Sequence, residues 1–254
     1  MSAGSDRARF SRIAHGELPF WNPLQETVLD EWVEALELGP DPRVLDVGCG
    51  RGELLLRVLA RWGGGGVGVD ADAAALELAR AAAPARGLAA RVRWRAEAFS
   101  LESLGAGDFD LALCVGSTHA CGDLRAALLA LSACVRPGGL LLVADGCWRQ
   151  EPAPEYLAFL GCEAGAFGTH AANRDLALLC DLDVLASHQT PVEAFRRYED
   201  AYAANLRAWL HAHPHDPEAA AFAARMDRWS AAVARWGLET LGFGMYLLRR
   251  PAAA

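Results

Sequence analysis

Apolar residues recur along this chain with two different periods. Between residues 43 and 145, short apolar runs alternate with stretches whose apolar positions return every three or four residues. That alternation predicts strands at 43–47, 66–70, 91–96, 109–115 and 140–145, with helices near 52–62, 72–83 and 123–135 between them. Strands regularly separated by helices form parallel sheets from βαβ units, so the central segment reads as α/β. Arg136-Pro137-Gly138-Gly139 sets proline and then glycine at the two central positions of a type II turn ahead of the fifth strand.

The flanks follow the helical period. A Pro/Asn break at 19–23 precedes an amphipathic helix, LQETVLDEWVEALEL, expected to pack on the sheet or cover its mouth. Beyond the fifth strand the pattern predicts a helix at 169–180, a sixth strand at 182–188 and a last strand at 242–250. Between those two strands, Tyr198, Tyr202, Asn205 and Trp209 share one helical face, and Phe222, Met226, Trp229, Val233 and Trp236 share another. They are expected to pack as a helical hairpin. The resulting division is an N-terminal helical cap at 1–40, a core at 41–190, a helical insertion at 191–241, and a last strand and tail at 242–254.

Length and composition narrow the classes of function. A chain of 254 residues, 53% hydrophobic, buries a sizeable core without disulfides. A net charge of −8 disfavours nucleic acid as a partner and favours small molecules. All 24 basic side chains are arginine, which excludes Schiff-base and P-loop lysine chemistry. Seven scattered cysteines with no C-x-x-C spacing fit reduced thiols in a cytoplasmic protein. No apolar run approaches the ~20 residues that span a bilayer. The alternating His211, His213 and His215 lack a completing carboxylate or cysteine cluster and read as a solvated connector; no metal is expected.

Chemistry concentrates in VLDVGCGRGE at 44–53, where a strand ends near Asp46 and Gly48, Gly50 and Gly52 lead into a helix. Glycines at that place let the backbone approach a nucleotide in the crevice of a doubly wound sheet. Asp70 closes the second strand about twenty residues later, where a carboxylate accepts hydrogen bonds from both ribose hydroxyls. The third glycine of a dinucleotide fingerprint would fall at 53, which is Glu53, a residue that repels phosphates. S-adenosylmethionine carries a sulfonium and an ammonium and no phosphate, and an acidic rim suits it.

With these motifs the chain resembles the class I S-adenosylmethionine-dependent methyltransferases, strongly over about 40–145. The resemblance implies a Rossmann-like sheet, mostly parallel with a reversed last strand, here with a helical insertion between the last two strands. It also implies S-adenosylmethionine, or S-adenosylhomocysteine as bound product, held by Asp46, Gly48, Cys49, Gly50, Asp70, Ala71, Glu97, Ala98, Cys114, Val115 and Gly116. Glu97 stands where the family usually has aspartate. A smaller subgroup, mostly of unassigned substrate, is similar in Gly-Ser-Thr-His-Ala at 116–120, FSRIAH at 10–15, Tyr198-Glu199 and Leu241-Gly-Phe-Gly244.

Methyl transfer from a sulfonium is an in-line displacement, so the protein chiefly aligns and desolvates the acceptor. Where a base is needed, His119 is the candidate, with a structural role in its turn as the alternative. His15, Ser117, Trp148, Tyr198, Tyr202 and Trp236 are the candidate substrate contacts. Arg12, Arg149 and Glu199 are possible charge partners but read more simply as exposed ion pairs. The function expected is methylation of a small molecule. The alternatives are a non-catalytic S-adenosylmethionine-binding regulator and, with less support, an NAD-dependent oxidoreductase.

Overall fold

The computed structural model describes residues 3–104 and 106–252, with side chains from Arg7 onward. The core begins with strand β1 (Arg43–Val47), followed by α3 (Glu53–Trp62), β2 (Gly65–Asp70), α4 (Ala73–Ala82) and β3 (Val92–Ala96). After the short α5 (Leu101–Leu104) come β4 (Phe109–Val115), α6 (Leu124–Cys134) and β5 (Val135–Trp148). Helices α1 (Ala3–His15) and α2 (Glu26–Ala35) precede the core. After it follow α7 (Pro154–Leu160), α8 (His170–Leu179), β6 (Asp183–Gln189), α9 (Val192–Ala212), α10 (Ala219–Ala232), the turn α11 (Leu238–Thr240) and β7 (Leu241–Arg249).

The seven strands form one sheet in the order β3-β2-β1-β4-β5-β7-β6. β7 runs antiparallel to both neighbours, and the remaining strand pairs are parallel, which is the expected reversed last strand. Period-two alternation sends Leu140, Leu142, Phe243 and Met245 to one face, against α2 and α3. It sends Leu141, Val143, Tyr246 and Leu248 to the other, against α6 and α8. The chain turns one way from β1 and the other way from β4, so the crevice at the carboxyl ends of these adjacent strands is a topological switch point.

Two local features depart from the pattern. The fifth strand is longer than its apolar run: β5 starts at Val135 and passes through the Pro-Gly-Gly segment as a bulge opposite β4, with Gly138 at φ +79°. Gly138 N donates to Arg250 O just after β7, and Arg250 N donates back to Gly139 O, so the turn geometry is kept inside a paired strand. The insertion is also no simple hairpin. Helices α9 and α10 close on α1, and Phe10, Ala14, Ala203, Leu206, Phe222 and Met226 form a separate buried core. Past α10 the helix widens into a π turn at Val233–Gly237, which rotates Trp236 away from the face carrying Trp229.

Candidate active site

Gly48, Gly50 and Gly52 all adopt left-handed φ, at +68°, +53° and +73°. Side chains are excluded at the outer two: a Cβ on Gly48 would lie 2.2 Å from Ser117, and one on Gly52 2.4 Å from the Trp94 ring. The turn is tied to the end of β2. Val69 O accepts from Gly48 N and Cys49 N, while one Asp70 oxygen accepts from Gly50 N at 2.7 Å and the other from Asp72 N at 2.8 Å.

Asp46 and Asp70 both face a cavity of about 290 Å³ above this turn. Asp46 is 3% exposed, and burial, followed by the charge of Asp70, pushes its carboxyl up to about 8. A buried carboxyl raised in part by a neighbouring carboxylate marks a site for a cation. The residues therefore fit a ligand with a sulfonium and an ammonium. Glu53 adds less to this rim than its position suggests, because Arg57 and Arg86 both pair with it. Burial opposes its ionisation, but the two guanidiniums prevail and hold it below the usual carboxylate range.

The N-terminal segment roofs the cavity. Arg51 donates to Leu18 O at 2.9 Å, Arg12 pairs with Asp72 at 2.6 Å, and Pro19, Phe20, Trp21 and Asn22 complete the lining. Gly116 admits this approach at φ +66°, since a Cβ there would overlap the Asn22 amide at 1.9 Å. On the far side of Trp21, Asn22 and Gly116 lies a second cavity of about 650 Å³, enclosed by α1, α7, α9 and α10. The two cavities share Ser11, His15, Trp21, Asn22 and Gly116 as walls.

His15 sits on that shared wall, 7% exposed. Its Nδ1 lies 2.7 Å from Ser11 O, which can only accept, so Nδ1 carries the proton. Nε2 is then an acceptor and receives the Tyr198 hydroxyl at 2.7 Å. The ring stacks on Trp21 at 5.1 Å, and burial, the dominant effect, lowers its pKa to about 4, so it is neutral at physiological pH. Glu199, in the second cavity, accepts from Trp229 Nε1 at 2.7 Å and is pushed up to about 7 by burial.

Of the residues singled out for the cofactor, Asp46, Gly48, Cys49, Gly50, Asp70, Val115 and Gly116 line the smaller cavity. Ala71, Glu97, Ala98 and Cys114 do not. Ala71 and Ala98 are exposed beyond its edge, Glu97 pairs with Arg95 at 2.7 Å, and Cys114 is wholly buried in the sheet. Of the acceptor candidates, His15, Tyr198 and Tyr202 line the larger cavity. Ser117 and His119 border only the smaller one, where the Ser117 hydroxyl donates to Gly48 O and His119 is exposed on a short turn.

Trp148 and Trp236 reach neither cavity. Trp148 is 5% exposed, donates to Ala164 O and packs edge-on against Phe167, while Trp236 stacks on Tyr156. Arg12 forms an ion pair as read from sequence, with Asp72, half-buried and clasping the roof; Glu199, read the same way, instead accepts from Trp229 and faces the larger cavity. Arg149 spans Leu241 O and Thr190 O. Sequence reasoning passed over Ser11, Trp21, Asn22, Arg7, Arg225 and Arg228. A signal existed in the i, i+4 stripe Arg7-Ser11-His15 and in Arg225-Arg228-Trp229, but single polar positions on a helix ordinarily mean a solvated face.

Residues 44–139 match the methyltransferase domain family. Together with the sheet order, the glycine turn and the solved structures below, this match supports a class I S-adenosylmethionine-dependent methyltransferase. It is 28% identical over 251 residues to the uncharacterized protein YjhP of Escherichia coli K12, covering 96% of this chain and 98% of that one. The crystal structure of YjhP superposes with a TM-score of 0.85. Two methyltransferases solved in complex with S-adenosylhomocysteine, from Geobacter sulfurreducens and Thiobacillus denitrificans, are each 27% identical, with TM-scores of 0.85 and 0.84. Each comparison covers 94% of this chain and 97% of the other.

Proposed function

We propose that this protein transfers a methyl group from S-adenosylmethionine to a small molecule held in the larger cavity. The observation that carries this reading is the common wall: a donor-sized acidic cavity and an aromatic cavity of about 650 Å³ meet at Trp21, Asn22 and Gly116. Asp70 and Asp46, with the turn at Gly48–Gly50, would hold the donor, which supplies an electrophilic methyl on a positively charged sulfur. Trp21 and His15 separate the cavities and align the acceptor from the opposite side. The roof segment excludes water, which strengthens the charge interactions beneath it.

For a hydroxyl or thiol acceptor, Tyr198 and His15 orient the reacting atom: His15 Nε2 accepts the hydrogen bond of the Tyr198 hydroxyl, which turns the Tyr198 oxygen lone pairs toward the acceptor's proton. His119 borders only the smaller cavity, so His15, on the wall the two cavities share, takes this role in the proposal.

The test is formation of S-adenosylhomocysteine from S-adenosylmethionine with a panel of small aromatic acceptors, followed by mass spectrometry. Acceptor-dependent turnover is expected, with His15→Gln lowering kcat by about 10²-fold for acceptors that lose a proton. Donor binding with no turnover on any acceptor would favour the non-catalytic regulator instead.

A further inference from the structure

The walls of the larger cavity carry an uncompensated charge. Arg7 on α1 and Arg225 and Arg228 on α10 all line it, and among the described residues none of the three pairs with a carboxylate. Their neighbours behave differently: Arg9 is held by Asp216 and Glu218, and Arg12 by Asp72. Arg225 is half-buried in the wall, while Arg7 and Arg228 are exposed. Glu199 is the sole carboxylate among the cavity's described walls, and its hydrogen bond goes to Trp229.

One of these arginines, Arg225, is braced by the cavity's own rings. Arg225 stands 4.1 Å over the centre of Phe10, and its charge together with that of Arg7 pulls on the Tyr202 phenol, which burial pushes up to about 12. A guanidinium fixed in this way keeps its planar donors free for an anion.

Their position sets the length of that anion. On α1, His15 and Ser11 border both cavities, whereas Arg7 borders only the larger one. Eight residues of helix at about 1.5 Å each separate Arg7 from His15, so the charged end lies on the order of 12 Å from the donor end. Between them run Phe10, Tyr198, Tyr202 and Trp229, which offer ring faces.

We propose that the methyl acceptor is an elongated aromatic or conjugated anion whose carboxylate or phosphate is held by Arg7, Arg225 and Arg228, remote from the atom that is methylated. This rests on the reading of the larger cavity as the acceptor site. Anion recognition at one end and methyl transfer at the other then divide binding from chemistry along one molecule.

Calorimetric titration of the full chain saturated with S-adenosylhomocysteine tests it. The probes are biphenyl-4-carboxylate, biphenyl-4-yl phosphate and the neutral biphenyl-4-carboxamide. At least one anion is expected to bind tenfold or more tightly than the amide. That preference should fall below threefold in Arg225→Gln/Arg228→Gln and persist in Arg196→Gln, an exposed arginine on α9 outside the cavity. S-adenosylhomocysteine affinity should stay within twofold in all variants, which also reports that they fold. Equal binding of acid and amide, a preference retained in the double variant, or no binding by any probe would overturn the proposal. Failure of S-adenosylhomocysteine itself to bind would instead sink the donor assignment, and the anion preference measured by thermal shift without it would still judge the arginine site.

Discussion

His15 is held neutral by its surroundings. Its folded pKa of about 4 lies below the ordinary 6.5, so between these values the unfolded chain takes up a proton that the folded one refuses. Stability from this group is complete above pH 6.5 and is lost as pH falls toward 4, a change of roughly 3 kcal/mol. Urea denaturation of wild type and His15→Gln should therefore show the wild-type advantage shrinking between pH 7.5 and pH 4.5. A constant difference would mean that the imidazole takes up its proton as readily in the fold as in the unfolded chain. The chemistry of residue 15 could not be read from FSRIAH alone, because the partners that fix its tautomer, Ser11 O and Tyr198, come from one turn earlier and from a helix 183 residues later. Asp46 and Asp70 were legible for the opposite reason: their geometry is set by the strand ends they occupy.

At the scale of elements, the roof over the donor cavity depends on a few long side chains. Arg51, on the glycine turn, reaches back to Leu18 O and Gly16 O, so the sequence that forms the cradle also fastens its cover. Arg51→Ala should raise amide exchange across residues 16–24 and weaken S-adenosylmethionine binding several-fold, with the helices of the core unaffected. Unchanged exchange in that segment would show that Trp21 and Phe20 hold the roof without it. The core strands and helices were readable from periodicity because each buries one stripe against the sheet. The bulged start of β5 was hidden, since Pro-Gly-Gly looks like an ordinary turn until Arg250 pairs across it. Trp236 was misplaced because its spacing from Trp229 assumed 3.6 residues per turn, and the π turn between them changes the face it presents.

At the scale of the whole molecule, the chain builds one sheet domain and then covers it with α1, α9 and α10, drawn from opposite ends of the sequence. These helices share a small core centred on Leu206, which is wholly buried, so the larger cavity depends on packing that the smaller one does not use. Leu206→Ala should cost about 2–5 kcal/mol and lower turnover while S-adenosylhomocysteine affinity remains within a few-fold. Equal loss of donor affinity, in fluorescence titration of the folded variant, would mean that the two lobes act as one unit. The assembly of α1 with the insertion could not be anticipated from sequence: amphipathic stripes say that a face is buried, and not which partner buries it.

The account stands on the acidic cradle between β1 and β2, and direct titration of S-adenosylmethionine into wild type and Asp70→Ala by calorimetry tests it most plainly. We expect micromolar or tighter binding to the wild type and at least a thirtyfold loss in the variant, whose turn loses its bond to Gly50 N as well as the carboxylate proposed to accept from the ribose. Equal affinity in the two proteins, or no binding to the wild type, would contradict the account.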